Sequence, residues 1–192
     1  MKKKEKKTYK YVLGIDIGNA TRMGVALYNM EDKKLEYFER ISRKNSKTNL
    51  EHRLKLIESI KNIYKHYSID ILIFENIRLF SKGLIQLQTI LSLNKVQTTI
   101  INEFSDKFDI FGIDVRTWKA RVLGNGNAEK IDSLNYVKRK HPEVNLIDEI
   151  YMPKKKITVL ELDADLADAI CISEVLKFGY DCLQDKNKMN YK

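Results

Sequence analysis

Two periods of apolar and polar positions run along this chain, and they predict its elements. "YKYVLGIDIG" (residues 9–18) is an apolar, β-branched run that stops at an Asp and a Gly, the pattern of a buried strand and turn. "RMGVALYNM" (22–30) and "KKLEYFERIS" (33–42) predict two further strands with hairpin spacing. From residue 48 to 67 the period changes: Leu50, Leu54, Ile57, Ile60 and Ile63/Tyr64 recur at helical intervals. "IDILIFEN" (69–76) is a short buried-strand run ending in Glu75 and Asn76, and a long helical stretch over 83–108 carries Leu84, Leu87, Leu91 and Ile101. "IFGIDV" (110–115) predicts a fifth strand. It is followed by helical "RTWKARVL", a break at "GNGN" and helical "AEKIDSLNYVKRK". Residues 141–160 show no clear period, and a last helix is predicted over 165–178.

Hairpin-joined strands followed by helix, strand, helix, strand and terminal helices predict an α/β domain. The hairpin-first order is that of the ribonuclease H type of fold, a five-stranded mixed sheet with helices on both faces. In that layout the first and fourth strands lie side by side and parallel. Asp16 and Glu75, each at a strand end, become neighbours.

Composition narrows the class. The chain has 192 residues, 43% of them hydrophobic, with only 8 Gly and 2 Pro, which suits one ordered domain with its own core. Lys and Arg number 35 against 26 acids, a net charge of +9, and such an excess suits a polyanionic partner. Part of it sits at the ends, so basic tails are expected over 1–9 and 181–192 around a domain at 10–180. No apolar run approaches the ~20 residues of a membrane span, and the lysine-rich start lacks the apolar core of a signal peptide. Cys171 and Cys182 lack metal-type spacing and read as reduced thiols of a cytoplasmic protein. His52, His66 and His141 are scattered and read as ordinary surface or helix residues.

Against that basic background, "ELDADLADAI" (161–170) concentrates Glu161, Asp163, Asp165 and Asp168 just before an apolar run. By itself an acidic helix start is a capping arrangement that complements the helix dipole. Taken with Asp16 and Glu75 the picture changes. Both end apolar strands, where an unpaired carboxylate has a desolvation cost. Residues three apart on a helix share a face, so Asp165 and Asp168 can point at one spot. Four acids converging on one cleft repel one another unless divalent cations sit between them. Hard oxygen ligands suit Mg²⁺ or Mn²⁺, and such a site can assist phosphodiester hydrolysis.

The segments "LGIDIGNATRMGVAL", "IFEN", "RTWKARVLGNGNAEK" and "DADLADAICIS" stand in the order and approximate spacing of the RuvC-type Holliday junction resolvases. The chain resembles that family over residues 11–178, including "RLKLI" at 53–57. The resemblance implies a homodimeric, Mg²⁺-dependent endonuclease that cuts paired strands of four-way and related branched DNA, with Mn²⁺ able to substitute. By position, Asp16, Glu75, Asp165 and Asp168 match the family's metal-binding catalytic acids, and Lys119 and Lys130 match lysines near the scissile phosphate. Asp163 does not match and reads as a supporting or loop residue. In the bacterial pattern a Phe three positions after the strand-end Glu inserts near the junction centre. Here Arg78 stands at that place, with Phe80 two residues later. The Lys-, Asn- and Ile-rich composition suits an AT-rich source such as a phage of a low-GC bacterium.

Other features carry bland alternatives. Lys119 and Lys130 by themselves are ordinary solvated lysines. "GNGNAEK" lacks the Gly-Lys-Ser/Thr ending of a nucleotide loop. It is either a helix break with Asn127 near the next N-terminus or a set of backbone amides for a DNA phosphate. Trp118 reads as core, and the long helix after Phe80 suits a core element or a dimer interface. Two other functions compete with cleavage: a non-catalytic branched-DNA-binding protein of the same fold, and a single-lobe ATP-binding domain of the actin and sugar-kinase superfamily.

Overall fold

A computed structural model describes residues 8–18, 22–42, 46, 48–76, 84–152 and 157–185. Arg78 and Phe80 lie outside the described residues, as do the side chains of Leu84 and Leu87. Strands β1 (Tyr11–Asp16), β2 (Arg22–Asn29) and β3 (Lys34–Ser42) form an antiparallel meander. Helix α1 (Asn49–His66) then leads to β4 (Ile71–Glu75), α2 (Leu84–Phe104) to β5 (Asp109–Ile113), and α3 (Val115–Leu123) and α4 (Lys130–Lys140) follow. A hairpin of β6 (Ile147–Met152) and β7 (Ile157–Leu162) precedes α5 (Ala164–Ser173). With a last strand β8 (Leu183–Asp185), the sheet order is β3-β2-β1-β4-β5-β8, and β4 is parallel to both β1 and β5. The five expected strands are all present in the expected layout.

Three features depart from the sequence-based expectation. Leu183–Asp185, placed in a basic tail, form β8 and add a short sixth strand antiparallel to β5. Within residues 141–160, which lack a period, β6 begins a two-stranded sheet whose second strand ends at Leu162. The last helix ends at Ser173 and continues as a 3-10 turn over Val175–Phe178. No helix among the described residues is long and apolar enough to cross a membrane.

Strand parity divides the core. Leu13 and Ile15 of β1 join Leu72 and Phe74 of β4 under α1 and α2, with Leu56, Ile60, Val96, Ile100 and Phe104. Val12, Ile71 and Ile73 face the opposite side, under α3, α4 and α5, with Trp118, Leu134, Val137 and Ile170. Successive side chains alternate across a sheet, so Gly14 and Asp16 share the face of Val12, and Glu75 shares that of Ile73. The acids at the two strand ends therefore point toward α5.

Two glycines set the height of α5 above the sheet. A Cβ on Gly14 would stand 2.4 Å from the carbonyl oxygen of Ala169 and the backbone nitrogen of Ser173. One on Gly24 would stand 2.3 Å from the carbonyl oxygen of Asp165. Helix backbone lies directly on strand backbone at both points, and the contact includes the residues that carry the acids. Gly14→Ala or Gly24→Ala should cost about 1–3 kcal/mol by forcing α5 away. Chemical denaturation would measure that loss, and a variant as stable as the wild type would mean that the helix shifts freely.

Candidate active site

Asp16 and Glu75 reach one another through backbone pairing. Parallel pairing runs from Val12↔Ile71 to Ile15↔Phe74, and one more residue of that register sets Asp16 beside Glu75. The chain turns sharply after Asp16: Gly18 adopts φ +56° and its N–H donates to Asp16 Oδ1 at 2.9 Å. Glu75 is held from two sides. Trp118 Nε1 donates to its Oε2 at 3.1 Å, and Gln97 Nε2 donates to its backbone carbonyl at 2.8 Å. Trp118 is fully buried, as expected of a core residue, and it also positions a site carboxylate.

The other two acids come from α5. Asp163 caps this helix, accepting from Leu166 N–H at 3.0 Å through Oδ1, while Oδ2 is bound by Arg40 Nε. With both oxygens committed, Asp163 is a structural residue of the helix start. The capping role that the acidic run suggests thus falls to Asp163, which leaves Asp165 and Asp168 for the cleft. Asp165 Oδ2 lies against Gly18, where an added Cβ would stand 3.1 Å from it. Lys130 Nζ is 3.5 Å from Asp165 Oδ1, and Arg22 Nε is 3.9 Å from Oδ2. The buried Oδ1 of Asp168 has no hydrogen-bond partner among the described residues.

These acids, with Lys119 and Lys130, line one cleft of about 480 Å³ closed on another side by Ile90, Leu93 and Gln97 of α2. Electrostatics register the convergence. Burial, then the charges of Asp168, Glu75 and Asp165, push the Asp16 carboxyl well above the ordinary aspartate range. Burial pushes Asp168 up to about 6, with Glu75 adding to the rise and Ser133, Lys119 and Lys130 opposing it. Four carboxylates at one place raise the cost of negative charge there, which is the condition under which a divalent cation binds.

Among the described residues, no three His, Cys, Asp or Glu side chains are gathered closely enough to hold an ion as they stand. The donor set nonetheless fits a hard cation. All four ligand candidates are carboxylates, the buried Asp168 Oδ1 lacks a partner, and the charges repel in the absence of a counterion.

The two lysines occupy different positions. Lys119, on α3, donates to the Ala128 carbonyl at 2.7 Å and so ties the "GNGN" segment to the cleft. Lys130 is the first residue of α4 and its side chain is largely exposed beside Asp165. Gly124 ends α3 at φ +79°, Asn125 Oδ1 accepts from Asn127 N–H at 3.0 Å, and the next helix is capped by Glu129 rather than Asn127. Sequence reasoning missed Arg22 and Arg40, since two arginines in an edge hairpin carry no local signal of what they face.

No family model matches the chain, and no curated protein matches it. Solved structures do. A complex of Thermus thermophilus RuvC with a Holliday junction substrate aligns at TM-score 0.60 and 15% identity, covering 88% of this chain and 94% of that one. The chain has the RuvC fold. A second Thermus thermophilus RuvC structure aligns at TM-score 0.59 and 16% identity, over 88% and 93% of the two chains. The yeast mitochondrial Holliday junction resolvase aligns at 0.52 and 13%, over 85% and 76%. The RuvC fold accounts for the meander, the parallel β1–β4 pair and helices on both faces.

Proposed function

We propose that this protein is a structure-selective endonuclease that hydrolyses phosphodiesters in four-way and related branched DNA. The observation that carries this reading is the meeting of Asp16, Glu75, Asp165 and Asp168 in one cleft on a RuvC fold, in a chain of net charge +9. The three aligned proteins are a RuvC bound to a junction, a RuvC and a Holliday junction resolvase, which supports DNA junctions as the substrate class.

In this reading the four carboxylates hold one or two divalent ions, Mg²⁺ by preference with Mn²⁺ substituting, and the ions supply stabilisation of charge at the reacting phosphate. The chain's own residues prepare the site. The turn at Gly18 fixes Asp16, Trp118 fixes Glu75, and the Asp163 cap fixes the start of the helix that bears the other two. Lys130, exposed at the rim, meets the phosphate backbone; Lys119 holds its loop and adds positive charge. The reading places the protein in the cytoplasm, where its DNA substrate lies.

A four-way junction offers two equivalent strands, and a twofold homodimer brings one site to each. Apolar surface supports this arrangement. Leu50 and Leu54 of α1 are 64% and 55% exposed, and Leu91 of α2 is 50% exposed, although the helical period sets α1's leucines in its apolar stripe. Arg53, on the same side of α1 as Leu50, donates to Ser92 at 2.9 Å and joins the two helices there. Sedimentation equilibrium should find a dimer at micromolar concentration without DNA. A monomer that still makes paired cuts would remove the preformed dimer and leave the catalytic assignment intact.

Incubating the protein with Mg²⁺ and an end-labelled four-way junction tests the central claim. Paired, metal-dependent nicks are expected. Tight binding with no cleavage under any divalent ion would identify a non-catalytic junction binder instead.

A further inference from the structure

Two arginines outside the cleft carry an arrangement that the cleavage chemistry leaves unexplained. Arg22 begins β2 and stands between α5 and the β6–β7 hairpin. Its Nη2 donates to Glu161 at 3.1 Å, while Nε lies 3.9 Å from Asp165 Oδ2 and Nη1 lies 3.9 Å from Asp148 Oδ2. Nη1 is buried and makes no hydrogen bond among the described residues. Behind it, Arg40 binds Asp163, donates to Asp148 Oδ1 at 3.4 Å and to the Ile147 carbonyl at 3.3 Å. The hairpin is thereby tied to the helix start through paired charges.

The distances distinguish two roles. An arginine serving only as a structural clamp uses its fork for close, bidentate contacts. Among the described residues Arg22 makes one close contact, to the hairpin, and stays beyond hydrogen-bond range of Asp165. Asp165 Oδ2 therefore lies near the guanidinium charge without a hydrogen bond to it, and Gly18 also stands close to the same oxygen.

We infer that Arg22 is a positioning residue, anchored by Glu161 and Asp148 of the hairpin, that aims Asp165 Oδ2 at the divalent-cation site without occupying it. The inference rests on the proposed metal-dependent function and assigns the hairpin a role in it: β6–β7 is the outer support of one ligand. Outer supports of this kind typically change metal affinity or activity about 10–100-fold when removed.

The direction of the effect separates positioning from simple charge. If Arg22 acted only through its field, removing a cation beside four acids would tighten divalent binding. Positioning predicts the reverse. Titration of the full chain with Mn²⁺ by calorimetry, without DNA, should show Arg22→Gln binding about 10–100-fold more weakly than wild type. The Mn²⁺ concentration for half-maximal junction cleavage should rise by a similar factor, while junction affinity stays unchanged. Arg22→Lys should recover part of the loss.

Arg22→Gln and Arg22→Lys proteins that bind Mn²⁺ as tightly as wild type, or more tightly, would overturn the inference. If Arg22→Gln does not fold, Arg22→Lys decides alone: it keeps the charge and loses the fork, so weaker Mn²⁺ binding supports positioning and unchanged binding overturns it. A wild type that binds Mn²⁺ but cuts no junction would defeat the proposed substrate and leave the Arg22 result to be judged by calorimetry. A wild type that binds no Mn²⁺ would overturn both.

Discussion

Asp16→Asn, Glu75→Gln, Asp165→Asn and Asp168→Asn should each abolish junction cleavage while leaving junction binding in place. A ligand that holds a catalytic ion accounts for several kcal/mol of transition-state stabilisation, so each loss should be roughly 10³-fold or more. Single-turnover cleavage of an end-labelled junction measures the first effect and a gel shift the second. The neutral variants remove negative charge from a basic surface, so metal-free binding should hold or tighten. A second signature accompanies the loss. Burial and three neighbouring acids raise the Asp16 pKa, so its charge is unfavourable in the folded protein at neutral pH. Asp16→Asn should therefore melt at a higher temperature than the metal-free wild type. Full activity in the Asp16 or Glu75 variant would remove the site assignment.

Glu174→Ala should be the most destabilising polar substitution on the opposite side of the same helix. Glu174 caps the C-terminus of α5 and is completely buried. It accepts from Tyr136 Oη at 2.5 Å, from His141 Nε2 at 2.6 Å and from Lys177 Nζ at 2.9 Å. Lys177 also lies 4.0 Å over the Tyr28 ring. Removing the carboxylate strands all three partners, a change that costs about 3–5 kcal/mol, or roughly 10 °C in Tm for a domain of this size. A loss below about 1 kcal/mol would mean that water replaces the carboxylate at no expense.

The pH dependence of that stability has a definite sign. Burial pushes the Glu174 pKa up, but bonds from His141, Tyr136 and Lys177 prevail and hold it below the ordinary 4.5. A carboxyl depressed on folding contributes stability above its unfolded value, and the contribution disappears as pH falls through the folded value. Asp168, raised to about 6, has the opposite sign: protonation near that pH relieves it. Comparing acid titrations of wild type and Glu174→Gln separates the two. The variant should lack the stability that the wild type holds above pH 4.5 and loses on further acidification, but keep the gain near pH 6.

Most of the fold was legible because local period and tertiary burial agree. β1, β4 and β5 are short apolar runs, and each is buried on both faces, as such runs require. The site acids were legible because strand-end carboxylates and an i, i+3 pair are simple to project onto a sheet edge. The identity of the cap was not. Asp163 and Asp165 are equally good caps by composition, and the choice was made by Arg40, 123 residues away along the chain. His141 failed for the same reason: taken as an ordinary surface or helix residue, it is buried against Glu174, whose partners come from the end of α4 and from the 3-10 turn. The β6–β7 hairpin escaped because its inner face meets charges rather than apolar core. Asp148 and Glu161 are cross-strand partners that point at Arg22, and this breaks the alternation by which strands are recognised. Leu50 and Leu54 show the converse, apolar periodicity that continues past the edge of the core.

The seating of α5 on Gly14 and Gly24 has a temporal consequence. The strands beneath this helix, β1 and β2, lie far ahead of it in the chain, so they are synthesised well before the segment that covers them. Synthesis from Glu75 to Asp168 takes on the order of 5–20 s, during which Asp16 and Glu75 exist without their partners. A nascent chain in that interval has a basic surface and half of its carboxylates, so it can touch DNA but lacks a complete metal site. The proposed nuclease activity would thus switch on in one late event, when a distant segment closes over glycines synthesised well before it. Contacts of such long sequence separation form slowly. On the proposed nuclease function, a cell making this protein would be exposed to cutting only once the whole domain has assembled.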